Sequence, residues 1–240
     1  MKKLFCLAAL LVAAMGAKAQ DGKLWVMPKV GMTTSTIVGD TPEQPDFTPG
    51  HGRIYWDFST AVGWQAGVEV GQNFNQWLGW SAGVNYTKQR VRSHDDYRIF
   101  FHEYNDIHLV FHEINVPVML TFHPVKGLAI EAGVQSGVTA EVKRSWVESG
   151  YDVIIPNGVY KEDGLDQFEK HPVSDKGSEH VKGHRVNTSI PIGASYTFRN
   201  VTLGVRYHWG ITHVFDDVDM YSRYLSVTLG YRLPLGRSIK

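Results

Sequence analysis

Val201-Thr-Leu-Gly-Val-Arg-Tyr-His-Trp-Gly-Ile211 alternates without a break. Val201, Leu203, Val205, Tyr207, Trp209 and Ile211 share one parity; Thr202, Gly204, Arg206, His208 and Gly210 share the other. The pattern resumes where Leu225, Val227, Leu229, Tyr231 and Leu233 alternate with Ser226, Thr228, Gly230 and Arg232. Period two is the mark of a β-strand, whose successive side chains point to opposite faces. The apolar face carries a Trp/Tyr band, and the other face carries arginine among glycines. A strand whose apolar face meets lipid and whose polar face lines a lumen has this composition.

Six more segments repeat the pattern upstream. Residues 25–36 place Val26, Pro28, Val30 and Met32 against Met27, Lys29, Gly31 and Thr33. Residues 58–71 place Trp64, Val68 and Val70 against Gln65, Gly67 and Glu69. The strand from Leu78 sets Trp80, Val84 and Tyr86 against Ser81, Asn85 and Thr87. Residues 108–122 turn Ile114, Val116, Val118, Leu120 and Phe122 outward and Glu113, Asn115 and Pro117 inward. The strand from Leu128 turns Ile130, Val134, Val138, Ala140 and Val142 outward, with Glu131, Gln135, Glu141 and Lys143 inward. Residues 186–198 turn Ile190, Ile192, Tyr196 and Phe198 outward.

These strands number eight, each with the roughly ten residues that a tilted membrane strand needs. The links between them alternate long and short. Residues 37–57, 90–106, 146–184 and the Asp-rich stretch after Ile211 are long and polar; 73–76, 123–127 and Arg199-Asn200 are short. Antiparallel neighbours put all short links at one end, which is the arrangement of outer-membrane barrels with short periplasmic turns. In lipid every backbone group needs an internal partner, so the sheet must close. The expected fold is all-β, an eight-stranded antiparallel up-and-down transmembrane barrel. Its lumen is narrow enough for side chains to fill. Lys29, Glu69, Glu113, Glu131, Arg206 and Arg232 are expected there as a network of paired charges, since an unpaired charge would be costly. Trp80, Tyr86, Tyr196, Phe198, Tyr207, Trp209 and Tyr231 are expected as interfacial girdles on the outer face.

The amino terminus fits an exported chain. Met1-Lys2-Lys3, an apolar run from Leu4 to Met15 and Ala17-Lys18-Ala19 read as a signal peptide over residues 1–19, with cleavage after Ala19 and a barrel domain over 20–240. The chain's one cysteine, Cys6, falls inside that segment, so the mature chain has no disulfide. Removing Lys2, Lys3 and Lys18 leaves 24 − 3 = 21 basic residues against 24 acidic ones, a formal charge of −3. No basic stripe marks a nucleic-acid partner. No later apolar run is long enough for a helical span.

The chemistry-bearing residues outside the strands are sparse. His180 and His184 beside Glu179 have a spacing that metals use, without a third ligand. His213 with Asp216, Asp217 and Asp219 makes an acidic rim where a cation or a rim hydrolase could sit. No phosphate loop and no nucleophile elbow is present, so no cofactor is expected. A soluble, lipocalin-like exported barrel remains open if the apolar faces point inward, as does a narrow solute pore.

Several motifs in order resemble a known family. They are Val30-Gly31-Met32, Gly63-Trp-Gln-Ala-Gly67-Val68, Glu113-Ile-Asn-Val-Pro117-Val-Met-Leu120, Ile192-Gly193-Ala-Ser-Tyr-Thr-Phe198 and Leu203-Gly-Val-Arg206-Tyr207-His-Trp-Gly210. Together they resemble the PorT-like outer-membrane β-barrel proteins of the Bacteroidetes. The resemblance implies location in the bacterial outer membrane; the barrel itself is read as non-enzymatic, surrounded by lipid and lipopolysaccharide. Its partners would be envelope or secretion-machinery proteins, with an accessory role in type IX protein secretion.

Overall fold

A computed structural model describes residues 24–39, 58–93, 97–99, 102–154, 169–181, 185–215 and 218–235. The expected signal peptide, residues 1–19, lies outside them. Among the described residues eleven strands form one sheet: β1 Leu24–Gly39, β2 Phe58–Asn73, β3 Leu78–Ser93, β4 Tyr97–Ile99, β5 His102–Val125, β6 Leu128–Ile154, β7 Glu169–His180, β8 Val186–Phe198, β9 Val201–Phe215, β10 Val218–Tyr231 and β11 Leu233–Leu235. Eight of them close a ring in the order β1-β2-β3-β5-β6-β8-β9-β10, and β10 pairs back onto β1 from Lys29↔Gly230 to Gly39↔Met220. Every pairing is antiparallel. The closed eight-stranded barrel is therefore the fold.

The faces decide its solvent. On β9 the outward residues Leu203, Trp209 and Ile211 are 53%, 50% and 50% exposed, while Thr202, Arg206 and His208 are buried. The same inversion runs around the ring: Met32, Val84, Leu120, Val134 and Leu229 are exposed, and Lys29, Glu69, Asn85, Glu131 and Gln135 are buried. A soluble, lipocalin-like barrel requires the opposite arrangement, and these faces do not have it. An exposed apolar belt around a polar interior is stable where the outer solvent is hydrocarbon.

The short links are tight. Lys126–Gly127 joins β5 to β6, with Gly127 in the left-handed region at φ 88°. Arg199–Asn200 joins β8 to β9 with Arg199 at φ 54°. The Asn75 side-chain oxygen accepts from the Trp77 and Leu78 amides, both at 2.8 Å, and so fixes the β2–β3 link.

Three features depart from the sequence expectation. Residues 146–184, read as a polar loop, contain the upper part of β6 and the whole of β7. Above Val138, β6 leaves β8 and takes β7 as its neighbour from Lys143↔His180 to Ile154↔Glu169. Residues 90–106 similarly contain the ends of β3 and β5 and the short β4. The result is a four-stranded blade, β4-β5-β6-β7, standing on the long-link end of the barrel. The third departure is a bulge at Ala140. Glu113 pairs with Thr139 but His112 pairs with Glu141, so one extra residue flips the alternation of β6. Val142 is therefore turned inward and buried at 5%, and Glu141 and Lys143 face out.

Candidate functional site

The lumen is built in layers. The middle layer joins four strands through ions. Arg206 on β9 reaches across to Glu69 on β2, donating Nη1 to Oε1 at 2.5 Å and Nη2 to Oε2 at 3.0 Å. Its Nε donates to Glu131 Oε2 on β6 at 2.7 Å. Lys29 on β1 donates to the Glu69 carboxylate. Ser195 on β8 donates to Glu131 Oε1 at 2.5 Å. The order Glu131, Arg206, Glu69, Lys29 alternates in sign and sums to zero. All four side chains are buried. Bidentate and charge-assisted bonds of this kind are what such burial requires.

Glycines make the layer possible. Gly83 faces Glu69, and Gly193 stands between Glu131 and Arg206 in the ladder. A Cβ at Gly193 would lie 2.7 Å from Arg206 Cγ, and one at Gly83 would lie 2.6 Å from Glu69 Cγ. Only a missing side chain lets these long ones lie across the bore.

Arg232 and Glu113 lie apart from this tetrad. Arg232 shares the inward parity at the short-link end, where its guanidinium sits 4.1 Å from the centroid of the Trp25 ring. Glu113 belongs to a higher layer of amides and hydroxyls. It accepts from Gln89 Nε2 at 2.7 Å and Asn115 Nδ2 at 3.2 Å, and among the described residues it has no ion pair. Ser222 donates to Gln89 Oε1 at 2.9 Å, and Gln135 donates to the Tyr224 hydroxyl at 2.8 Å. The Tyr224 and His208 rings stack at 3.9 Å. A cavity of about 40 Å³ beside Gln89, Glu113, Gln135 and Tyr224 has room for a few waters. Above it an apolar cluster of Ile37, Val91, Leu109, Phe111, Val142 and Met220 crosses the bore.

The sequence pointed to the tetrad and placed Glu113, Gln135 and the apolar Leu109 and Phe111 inward, but missed Gln89, Val91 and Val142 in this upper half. Gln89 and Val91 continue the inward parity of Asn85 and Thr87, and that was the available signal. Val142 was hidden by the bulge. At the rim, His213 Nε2 lies 2.9 Å from the Tyr221 hydroxyl and 3.1 Å from Asp219 Oδ1. Asp216 and Asp217 lie outside the described residues. His180 Nδ1 lies 3.2 Å from Glu141 Oε1, and His184 also lies outside the described residues. Of the expected girdle, Tyr196, Phe198, Tyr207, Trp209 and Tyr231 are exposed on the outer face. Trp80 is buried at 6%, between Gln72 and Leu120 on its two neighbouring strands, and Tyr86 is half-buried against Trp64.

The family described as outer membrane protein beta-barrel domain matches residues 19–216. The chain belongs to that family. It is an outer-membrane β-barrel protein, and its exposed belt faces the lipid of that membrane. Its fold is similar to solved outer-membrane barrels of low identity. The attachment invasion locus protein Ail of Yersinia pestis is 12% identical with a TM-score of 0.42, over 88% of this chain and 99% of that one. Neisserial surface protein A is 12% identical with a TM-score of 0.41, over 90% and 100%. OprG of Pseudomonas aeruginosa is 8% identical with a TM-score of 0.41, over 89% and 97%. No curated protein matches the chain.

Proposed function

We propose that this barrel is a non-enzymatic, non-conducting anchor that presents its β4-β5-β6-β7 blade to other envelope proteins. The observation that carries the reading is the length of β5 and β6, 24 and 27 residues. Some ten residues suffice to cross the membrane, so the surplus is built into an external ordered sheet. The ion tetrad and the apolar cluster above it support a plugged lumen. The blade's edge strand β7 carries Pro172 and alternating charges, which discourage strand addition. Recognition therefore falls to the blade's side chains. The PorT resemblance makes the type IX secretion machinery the partner to test, with export directed by residues 1–19.

Two measurements test this. In planar bilayers the purified protein is expected to show no steady conductance, and an open pore would remove the plug. In a deletion strain, type IX cargo is expected to fall in the medium. The intact chain should restore it, and a chain with residues 145–181 replaced by a short turn should not. Full restoration by the bladeless barrel would overturn the presentation role.

A further inference from the structure

The outer wall of β3, β5 and β6 changes character abruptly towards the blade. Below, the exposed residues are apolar: Leu78, Val84, Ile114, Leu120, Phe122, Val134 and Val138. Trp64 and Tyr86 then meet at 5.2 Å, the amphipathic pair expected at an interface. Immediately above stand Lys88, Arg90 and Arg92 on β3, each on the outward parity because Thr87, Gln89 and Val91 are buried inward. In register, Arg90 and Lys143 flank Val110, and Lys88 and Glu141 flank His112. Val110 faces outward yet is only 8% exposed, as it would be under the aliphatic stems of Arg90 and Lys143.

The acidic groups nearby are already engaged. Asp106 Oδ1 lies 3.3 Å from Arg92 Nη2 and 3.2 Å from His108 Nε2, and Glu141 contacts His180. Among the described residues Lys88, Arg90 and Lys143 form no ion pair. The height is also informative. From Leu78 to Lys88, ten steps of about 3.4 Å along a strand tilted about 40° rise about 26 Å, close to the ~25 Å of an outer-membrane apolar band. The cations therefore begin where the outer-leaflet headgroups lie. Arg90 stands about 7 Å from Lys88 and about 10 Å from Lys143, spacings that a phosphate group between them can bridge with flexible stems. On the opposite wall the corresponding level carries Arg223, stacked at 4.3 Å on Trp209.

We propose that Lys88, Arg90 and Lys143 bind the phosphate groups of outer-leaflet lipid A, the membrane anchor of lipopolysaccharide, on this one wall of the barrel. The acyl chains lie against the apolar residues of the same strands, and Trp64 and Tyr86 mark the level of the sugar. The bound lipid would fix the barrel's depth and rotation beneath the blade.

The test is native mass spectrometry of the detergent-solubilised barrel titrated with bis-phosphorylated lipid A or with enzymatically dephosphorylated lipid A. Expected is one saturable lipid A per barrel for the phosphorylated form and none for the other. A basic residue at an anionic surface contributes about fivefold, so the K88Q/R90Q/K143Q variant should bind about a hundredfold more weakly. R223Q on the opposite wall should bind as the unsubstituted protein does. Equal binding of both lipids would overturn the proposal, because the wall would then be reading acyl chains alone. Competition by millimolar inorganic phosphate alone, to completion, would also overturn it by making the site one for free anions. The two-lipid comparison on the unsubstituted protein decides the matter if the triple variant folds poorly.

Discussion

Arg206 holds three walls of the barrel together, because it pairs with Glu69 and Glu131 while Glu69 also pairs with Lys29. Replacing one partner of a buried pair leaves charge without compensation, at a cost of about 3–5 kcal/mol. Arg206→Met is therefore expected to lower stability by about that amount in reversible urea unfolding from vesicles. Arg206→Lys keeps the charge but cannot reproduce both the fork to Glu69 and the bond to Glu131, so it should fall between. Gly193→Val tests the same layer without touching a charge. Its side chain would meet the Val205 carbonyl and, at 2.7 Å, the Arg206 stem, so it should destabilise comparably, and an unchanged unfolding midpoint would show that this layer has room. Residue parity alone placed Lys29, Glu69, Glu131 and Arg206 in the lumen. It could not show that Arg232 stacks on Trp25 or that Glu113 sits among amides, because partners across a bore depend on register and height rather than on local sequence.

At the level of the strand, the outer face of β9 is tuned to depth. Val205 sits about midway between the short-link end at Val201 and the rim at Ile211. An arginine facing lipid at mid-depth costs about 2–4 kcal/mol, and one near the interface about 0–1. Val205→Arg should thus destabilise the barrel in vesicles by about 2–4 kcal/mol, while Ile211→Arg should be nearly silent. Equal penalties at the two positions would mean that the belt is misplaced along the strand. The eight ring strands were legible because lipid on one side and a packed lumen on the other enforce a two-residue period. Where water wets both faces that constraint disappears. Glu169–His180 has no apolar alternation and is held by ladder hydrogen bonds to β6, so nothing in its composition announced a strand. The bulge at Ala140 was concealed for a different reason: one extra residue changes the phase without changing the composition.

For the molecule as a whole, the alternation of short and long links sets the orientation. The links 74–77, 126–127 and 199–200 all lie at one end, and β11 pairs with the start of β1 at that same end. The blade stands at the other. Outer-membrane barrels with an even strand number keep their short turns in the periplasm, so β7 is expected to face outside the cell and Asn200 is not. In a Cys6→Ser background, Ser174→Cys on β7 should react with a membrane-impermeant maleimide on intact cells, since Ser174 is exposed. Asn200→Cys should react only after the outer membrane is opened. The unboiled protein carrying either label should migrate faster than the boiled one, as a closed detergent-resistant barrel does. Labelling of Asn200→Cys alone on intact cells would invert the molecule, put the blade in the periplasm, and move the basic wall of β3, β5 and β6 to the inner leaflet. The lipid A site and the surface-presenting role would then both fall. Labelling of Ser174→Cys alone would leave both standing on the same geometry, because the blade and the cations beneath it share β5 and β6.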